Sequence, residues 1–498
     1  MATLDNSQTI DYQLFAILKK LLIHKVYYLP PFLFLNQKRI NLKHSSIIIK
    51  LTTLKIKIVV IAIAIGLGLA ACQKDTSVES LDVALEASIQ AASLNGLSDF
   101  ILPTSTDFAN IPQDPNNLLT QAKVDLGQLL FHETGLALNP MHASSEGTYS
   151  CATCHFASAG FQANRHQGIS DGGMGFGNNG SVRVVSPDYD FSELDVQAIR
   201  TPTAMNGAYQ KNQLWNGQFG ATELNVGTEN QWTAGTPKGV NELGYEGLET
   251  QAIAGLKVHR MSSIDEFLKE MYQDDFDAAF PEVPEAERCN VENTGLAIAA
   301  YERTVLSNQA PFQQWLRGDL NAMTDEEKAG AVLFFGKANC ASCHQGPALN
   351  SMEFYGLGMG DLFENSDITY GAGRQSVENF GRGGFTKVAS DYFKFKVPQL
   401  YNLMDSPFYG HGASLTNLTQ VVNYKNKAIK ENDNVPDIHL ALEFIPIDLT
   451  NEEMHQLVVF LETALHDPNL QRYEPLEVRS GNCFPANDVE AQVDLGCE

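Results

Sequence analysis

Basic residues are scarce in this chain. Its 498 residues include 34 Lys and Arg against 59 Asp and Glu, a formal net charge of −25. The shortage is uneven, because residues 1–71 hold 9 basic side chains against 2 acidic ones and leave 25 against 57 for the remainder. A body that acidic repels nucleic acid, and it attracts a basic protein partner or none. Strand signals are also few, and Gly-rich loops such as "SDGGMGFGNNG" fill much of the space between helices. Wholesale disorder is excluded by a hydrophobic content of 44%. The length is too great for one core and implies two domains plus accessory segments.

The apolar run Ile58–Leu69 follows Lys55 and Lys57 and ends in small residues before Cys72. It is short for a membrane span and reads as a secretory signal. "LAAC" (Leu69 to Cys72) resembles the lipobox of bacterial lipoproteins, which makes Cys72 the lipidated first residue of the mature chain. Gln73 and the "QKD" stretch resemble sorting signals for the outer membrane and cell surface of Gram-negative bacteria. The expected location is therefore the periplasm or cell surface, with a lipid anchor in the outer membrane. A plain transmembrane anchor is the alternative. Residues 1–71 are the export segment, and a misassigned start codon accounts for residues 1–50.

A polar linker is expected over 72–97, a first folded body over 98–305, a second over 306–475 and a tail over 476–498. Both bodies share a local plan. "QAKVDLGQLLF" and "DEEKAGAVLFF" each show helical spacing of apolar residues, end in Leu-Phe or Phe-Phe, and precede a cysteine pair. Thr324 followed by Asp325-Glu326-Glu327 is a helix start. Further helices are predicted over 292–306 and 450–465. The repeat argues for two homologous, mostly α domains with long loops.

The cysteine pairs are "SCATCHFAS" and "NCASCHQGP". In C-x-x-C-H the two thiols add to the vinyl groups of haem and the adjacent histidine becomes an axial iron ligand. The sets are Cys151, Cys154, His155 and Cys340, Cys343, His344. A shared zinc site would not need either trailing histidine, and a thioredoxin-like pair lacks its strand–helix context. Two covalently bound haem c groups are the expected cofactors.

Several longer stretches then resemble the bacterial dihaem cytochrome c peroxidase family, which includes the MauG-like enzymes. They are "RTPTAMNGAYQKNQLWNGQ", "AIAAYERTVLSNQAPFQQWLRGD", "KFKVPQLYN" and "PFYGHGASLTNL". The resemblance covers residues 110 to 470 and implies two cytochrome c-like haem domains, a peroxidatic haem on His155 and an electron-transfer haem on His344. It also implies that Trp215 relays charge between them. The family's distal glutamine falls on Gln251, but its glutamate is replaced by His259-Arg260-Met261. His259 as acid/base with Arg260 as charge stabiliser is one reading, and surface residues with weak or absent turnover is the other. Of the distal iron ligands, His166 is the candidate at the first haem against a surface-loop histidine. At the second haem the family's position falls on Lys425, with Tyr424 beside it, and neither is the third option. His411 reads as a structural hydrogen-bonding residue. The family's calcium ligands would be the Ser406 and Phe408 carbonyls, but Arg200 stands where the family has Asn, which disfavours calcium. Cys483 and Cys497 are expected to close a tail loop in an oxidising compartment, leaving Cys289 without a role.

The resemblance implies an enzyme that reduces hydrogen peroxide with electrons from a small cytochrome c or cupredoxin. A MauG-like oxidase of a protein or organic substrate is a variant of it, and a non-enzymatic dihaem electron carrier is the alternative. The family is often dimeric, so a homodimer is a candidate state.

Overall fold

The computed structural model describes residues 76–261, 265–365 and 369–497. The export segment and Cys72 lie outside the described residues. From Thr76 onward the chain is mostly helical, and its strands are two antiparallel pairs of two residues each: β1 (Gly173–Met174) with β2 (Val184–Val185), and β3 (Phe354–Tyr355) with β4 (Phe395–Lys396). No described helix is long and apolar enough to cross a membrane.

Two helix crossings organise the fold, and they are built alike. Helix α2 (Gln121–His132) crosses α5 (Val291–Thr304), and α6 (Asp325–Phe335) crosses α8 (Asn451–Val459). At the first crossing a Cβ on Gly127 would lie 1.9 Å from the Ala297 carbonyl oxygen; at the second, a Cβ on Gly330 would lie 2.0 Å from that of Gln456. Only glycine permits backbones that close. Four residues on from each contact, Phe131 meets Tyr301 at 5.2 Å and Phe334 meets Phe460 at 5.4 Å between ring centroids. Thr324 caps α6 as expected: its Oγ accepts from Glu327 N–H, and the Glu327 carboxylate accepts from Thr324 N–H at 2.6 Å.

The chain ends are exchanged between the halves. The stretch expected as a linker is instead helix α1 (Thr76–Ala92), docked on the second half. Asp82, Leu85 and Ile89 form a buried stripe, and Asp82 accepts hydrogen bonds from Trp315 Nε1 and Lys328 Nζ, both at 2.8 Å. Polar flanks hide this three- and four-residue spacing in the sequence. The tail in turn covers the first half. Cys483 and Cys497 are joined in the expected disulfide; Thr153 Oγ1 donates to Pro485 O at 2.5 Å, Ala486 bridges Tyr149, and Arg183 pairs with Asp488 at 3.2 Å. One contiguous apolar core runs through both halves.

Candidate functional site

Both CxxCH motifs fold into the same local structure. Cys151–Thr153 and Cys340–Ser342 are single 3-10 turns, and His155 N and His344 N each bond back to the first cysteine carbonyl. The chain then doubles back through a bridge, Phe156 with Gln162 and Gln345 with Asn350. Phe161 (φ 55°) and Leu349 (φ 48°) turn left-handed there, a costly conformation for such side chains. The turn aims their carbonyls at the histidines. His155 Nδ1–H donates to Phe161 O at 3.1 Å, and His344 Nδ1–H to Leu349 O at 3.0 Å. That fixes the tautomer and leaves Nε2 of each ring with its lone pair available. Burial pushes both imidazoles down to about 4, so they are neutral at pH 7, as a metal ligand must be.

The donor sets fit haem c. Burial pushes Cys151, Cys154 and Cys340 up to about 12, so these thiols are neutral at pH 7. A Cβ at Gly168 would lie 2.7 Å from Cys154 Sγ, so the loop is pared to glycine where the thiol must sit. The zinc alternative fails on geometry: among the described residues no three His, Cys, Asp or Glu side chains converge to hold a metal ion.

Between the motifs the halves meet through a reciprocal pair of backbone bonds. Arg200 N–H donates to His411 O, and Lys396 N–H donates to Trp215 O, both at 2.9 Å. Arg200 and Lys396 each stand two residues before the proline of their half, Pro202 and Pro398. Trp215 and His411 each lie inside a matching bridge, Gln213 with Phe219 and Tyr409 with Leu415. Trp215 Nε1 donates to Arg200 O at 2.9 Å, and its ring lies 6.5 Å from that of His411. His411 stacks on Phe395 at 3.6 Å, and its Nε2 meets Asp361 at 3.0 Å, which is a structural histidine's environment. The Arg200 guanidinium occupies the region suggested for calcium. Its Nη2 donates to Ser406 Oγ and to Gln162 Oε1, each at 2.6 Å, and Ser406 Oγ donates to Phe408 O at 2.7 Å. His166 packs against Phe408 at a tilt, with ring centroids 3.8 Å apart.

The first motif faces an acidic knot. Gln251 is half-buried on α3 (Gly247–Val258), and His259 caps that helix. His259 Nδ1 bonds Asp195 at 2.8 Å, and the ring is within electrostatic reach of His155. Burial lowers the His259 pKa, but the charge and hydrogen bond of Asp195 outweigh it and the net shift is upward. Arg260 is committed elsewhere: with φ 52° it turns its guanidinium onto the Asp171 carboxylate and, at 2.7 Å, onto Glu193 O. Asp171 also accepts from Tyr189 OH, and Asp195 from Ser170 Oγ. Sequence reasoning missed Asp195 and Asp171. The loop that carries Asp195, "DFSELDVQAIR", offers several acids and no spacing that singles one out.

At the second motif the two neighbouring candidates separate. Tyr424 OH donates to Leu357 O at 2.6 Å and its ring packs on Phe444 at 5.4 Å. Lys425 lies within electrostatic reach of Cys340, Cys343 and His344, and burial pushes its amine down to about 8.

Residues 121–321 match the family model described as di-haem cytochrome c peroxidase. The cytochrome-c peroxidase IdrP1 of Denitromonas iodatirespirans is 27% identical, over 80% of this chain and 98% of its own length. The methylamine utilization protein MauG of Methylorubrum extorquens is 27% identical over 72% of this chain and 82% of itself. The cytochrome c peroxidase Ccp of Escherichia coli is 30% identical over 62% of this chain and 55% of itself.

Proposed function

Because the chain is a divergent member of the di-haem cytochrome c peroxidase and MauG family, we propose that it reduces hydrogen peroxide to water with electrons from a small redox protein. Two electrons and two protons convert one peroxide to two waters. A haem attached at Cys151 and Cys154, with its iron on His155, would supply the centre at which the O–O bond is broken, and one attached at Cys340 and Cys343, with its iron on His344, would supply an electron store.

The observation that carries this reading is an asymmetry in otherwise matched halves. His259, oriented by Asp195, lies in reach of His155; at the second motif the group in reach of His344 is Lys425. With Nδ1 tied to Asp195, His259 Nε2 takes the proton from the near peroxide oxygen and returns it to the departing one. Asp195 steadies the imidazolium that forms. Gln251 orients peroxide by hydrogen bonding. Arg260 acts through Asp171 to keep the acidic knot in shape and is a positioning residue. Trp215 relays electrons from the second half to the first. Arg200 supplies the fixed positive charge between the halves, so activity does not depend on calcium.

The halves, 98–305 and 306–475, are read as cytochrome c-like domains, a reading supported by their matched helix crossings and histidine loops. Export and anchoring at Cys72 would place the enzyme where a basic cytochrome or cupredoxin meets its acidic surface. The test is peroxide-dependent oxidation of a reduced small basic cytochrome c by the purified holoprotein. Turnover that falls steeply with added salt supports the reading, and no peroxide-dependent oxidation of any small donor sinks it.

A further inference from the structure

Helix α7 (Leu418–Lys427) is capped by Asn417, whose side chain accepts from Gln420 N–H at 2.9 Å. Leu418 and Val422 are buried in the core, 1% and 4% exposed. Residues four and seven apart share one face of a helix, so Lys425 continues that inward stripe. A lysine in such a position is ordinarily paired with a carboxylate. Among the described residues this one has no hydrogen bond or ion pair, and its only ring contact there is Phe444, 5.9 Å from Nζ to the centroid. It lies within electrostatic range of the second CxxCH set, Cys340, Cys343 and His344. Tyr424 OH is tied instead to a backbone carbonyl, Leu357 O at 2.6 Å, so its proton is already committed.

We infer that Lys425 Nζ is the second axial ligand of the haem held by Cys340, Cys343 and His344. The inference rests on the dihaem reading above and deepens it. The ammonium releases its proton to solvent, and the freed lone pair forms the bond to iron. Among the described residues no carboxylate pairs with it to hold that proton back, and burial disfavours the charged form. Two nitrogen ligands close this haem to peroxide, which confines the chemistry to the first half. They also give it a lower potential than a thioether ligand would, since Met opposite His raises the potential.

The test uses the full-length holoprotein, with mass analysis to count covalent haems and electron paramagnetic resonance with near-infrared magnetic circular dichroism to identify ligands. The wild type is expected to show a low-spin second haem with a histidine–amine signature. Lys425→Arg keeps charge and reach, but guanidinium does not give up its proton, so this variant loses the amine signature while both haems remain attached. Lys425→Met regains a low-spin haem at a higher potential, and Tyr424→Phe leaves the wild-type spectrum in place. A wild-type spectrum in Lys425→Arg, or its loss in Tyr424→Phe, overturns the assignment. A mature chain without two added haem masses overturns the dihaem reading itself, and the ligand assignment with it.

Discussion

Trp215 and His411 occupy equivalent places in the two halves and meet where the halves join, with ring centroids 6.5 Å apart. Each carbonyl accepts a backbone hydrogen bond from the opposite half, Lys396 N–H to Trp215 and Arg200 N–H to His411. The repeat therefore extends well beyond the cysteine pairs, but it has diverged at its most sensitive point. One copy carries an oxidisable indole, and the other an imidazole locked to Asp361.

Replacing Trp215 by Phe keeps an aromatic ring at the junction but removes the bond to Arg200 O and the oxidisable indole. The stability loss should be about 1 kcal/mol, the net value of one hydrogen bond. Electron transfer from the second half to the first should slow by far more than that loss suggests. Stopped-flow oxidation of the half-reduced protein by peroxide measures the difference; an unchanged rate would remove Trp215 from the path.

His259 should govern the acid limb of the pH profile. Its raised pKa means that the proton-accepting form appears only as pH climbs through that value, so kcat/KM for peroxide rises with pH there. Asp195→Asn removes the charge that raises it and should move the acid limb to lower pH. His259→Ala should lower kcat by about 10²- to 10⁴-fold, the usual worth of a positioned acid/base. A profile unmoved by Asp195→Asn would show that His259 is not the base.

The cysteine pairs, the helices ahead of them and Trp215 were legible in the sequence because each carries a local signal. A fixed C-x-x-C-H spacing, a helical apolar stripe and a motif interval need no partner to be recognised. Asp195 was not legible, since its importance comes from meeting His259 across 64 residues of chain. Helix α1 was taken for a linker because its buried stripe is narrow and includes a charged residue, Asp82, that finds Lys328 and Trp315 only in the fold. Tyr424 and Lys425 are adjacent in sequence, and the fold tells them apart by tying Tyr424 OH to Leu357 O.

Gly127 and Gly330 should tolerate nothing larger. Alanine at either position forces two helices apart against a carbonyl that would lie 2.0 Å or less from the new Cβ. Each substitution should cost about 1–3 kcal/mol, as overpacking does, and thermal unfolding of the holoprotein reads it. Wild-type stability in both variants would contradict the paired crossings.

The tail disulfide should matter most to the first half. Cys483→Ser opens a loop closed across 14 residues and should cost about 3 kcal/mol. Because Pro485 and Ala486 lie against Thr153 and Tyr149, the spectrum of the first haem should broaden while that of the second stays sharp. Equal change at both haems would argue against a local role for the tail.

Chelation should leave the enzyme unaffected. Arg200 already bonds Ser406 and Gln162 between the halves, so extended dialysis against EDTA is expected to change neither melting temperature nor peroxide turnover. Loss of activity restored by calcium would show a cation site beside Arg200.

The most direct measurement is electron paramagnetic resonance of the half-reduced holoprotein, before and after one equivalent of peroxide. The account predicts that the ferric haem on His155 is open and changes at once with peroxide, while the haem on His344, silent when reduced, appears as a six-coordinate low-spin ferric signal once peroxide has drawn off its electron. Two low-spin haems that peroxide leaves unaltered would contradict it and leave the chain an electron carrier.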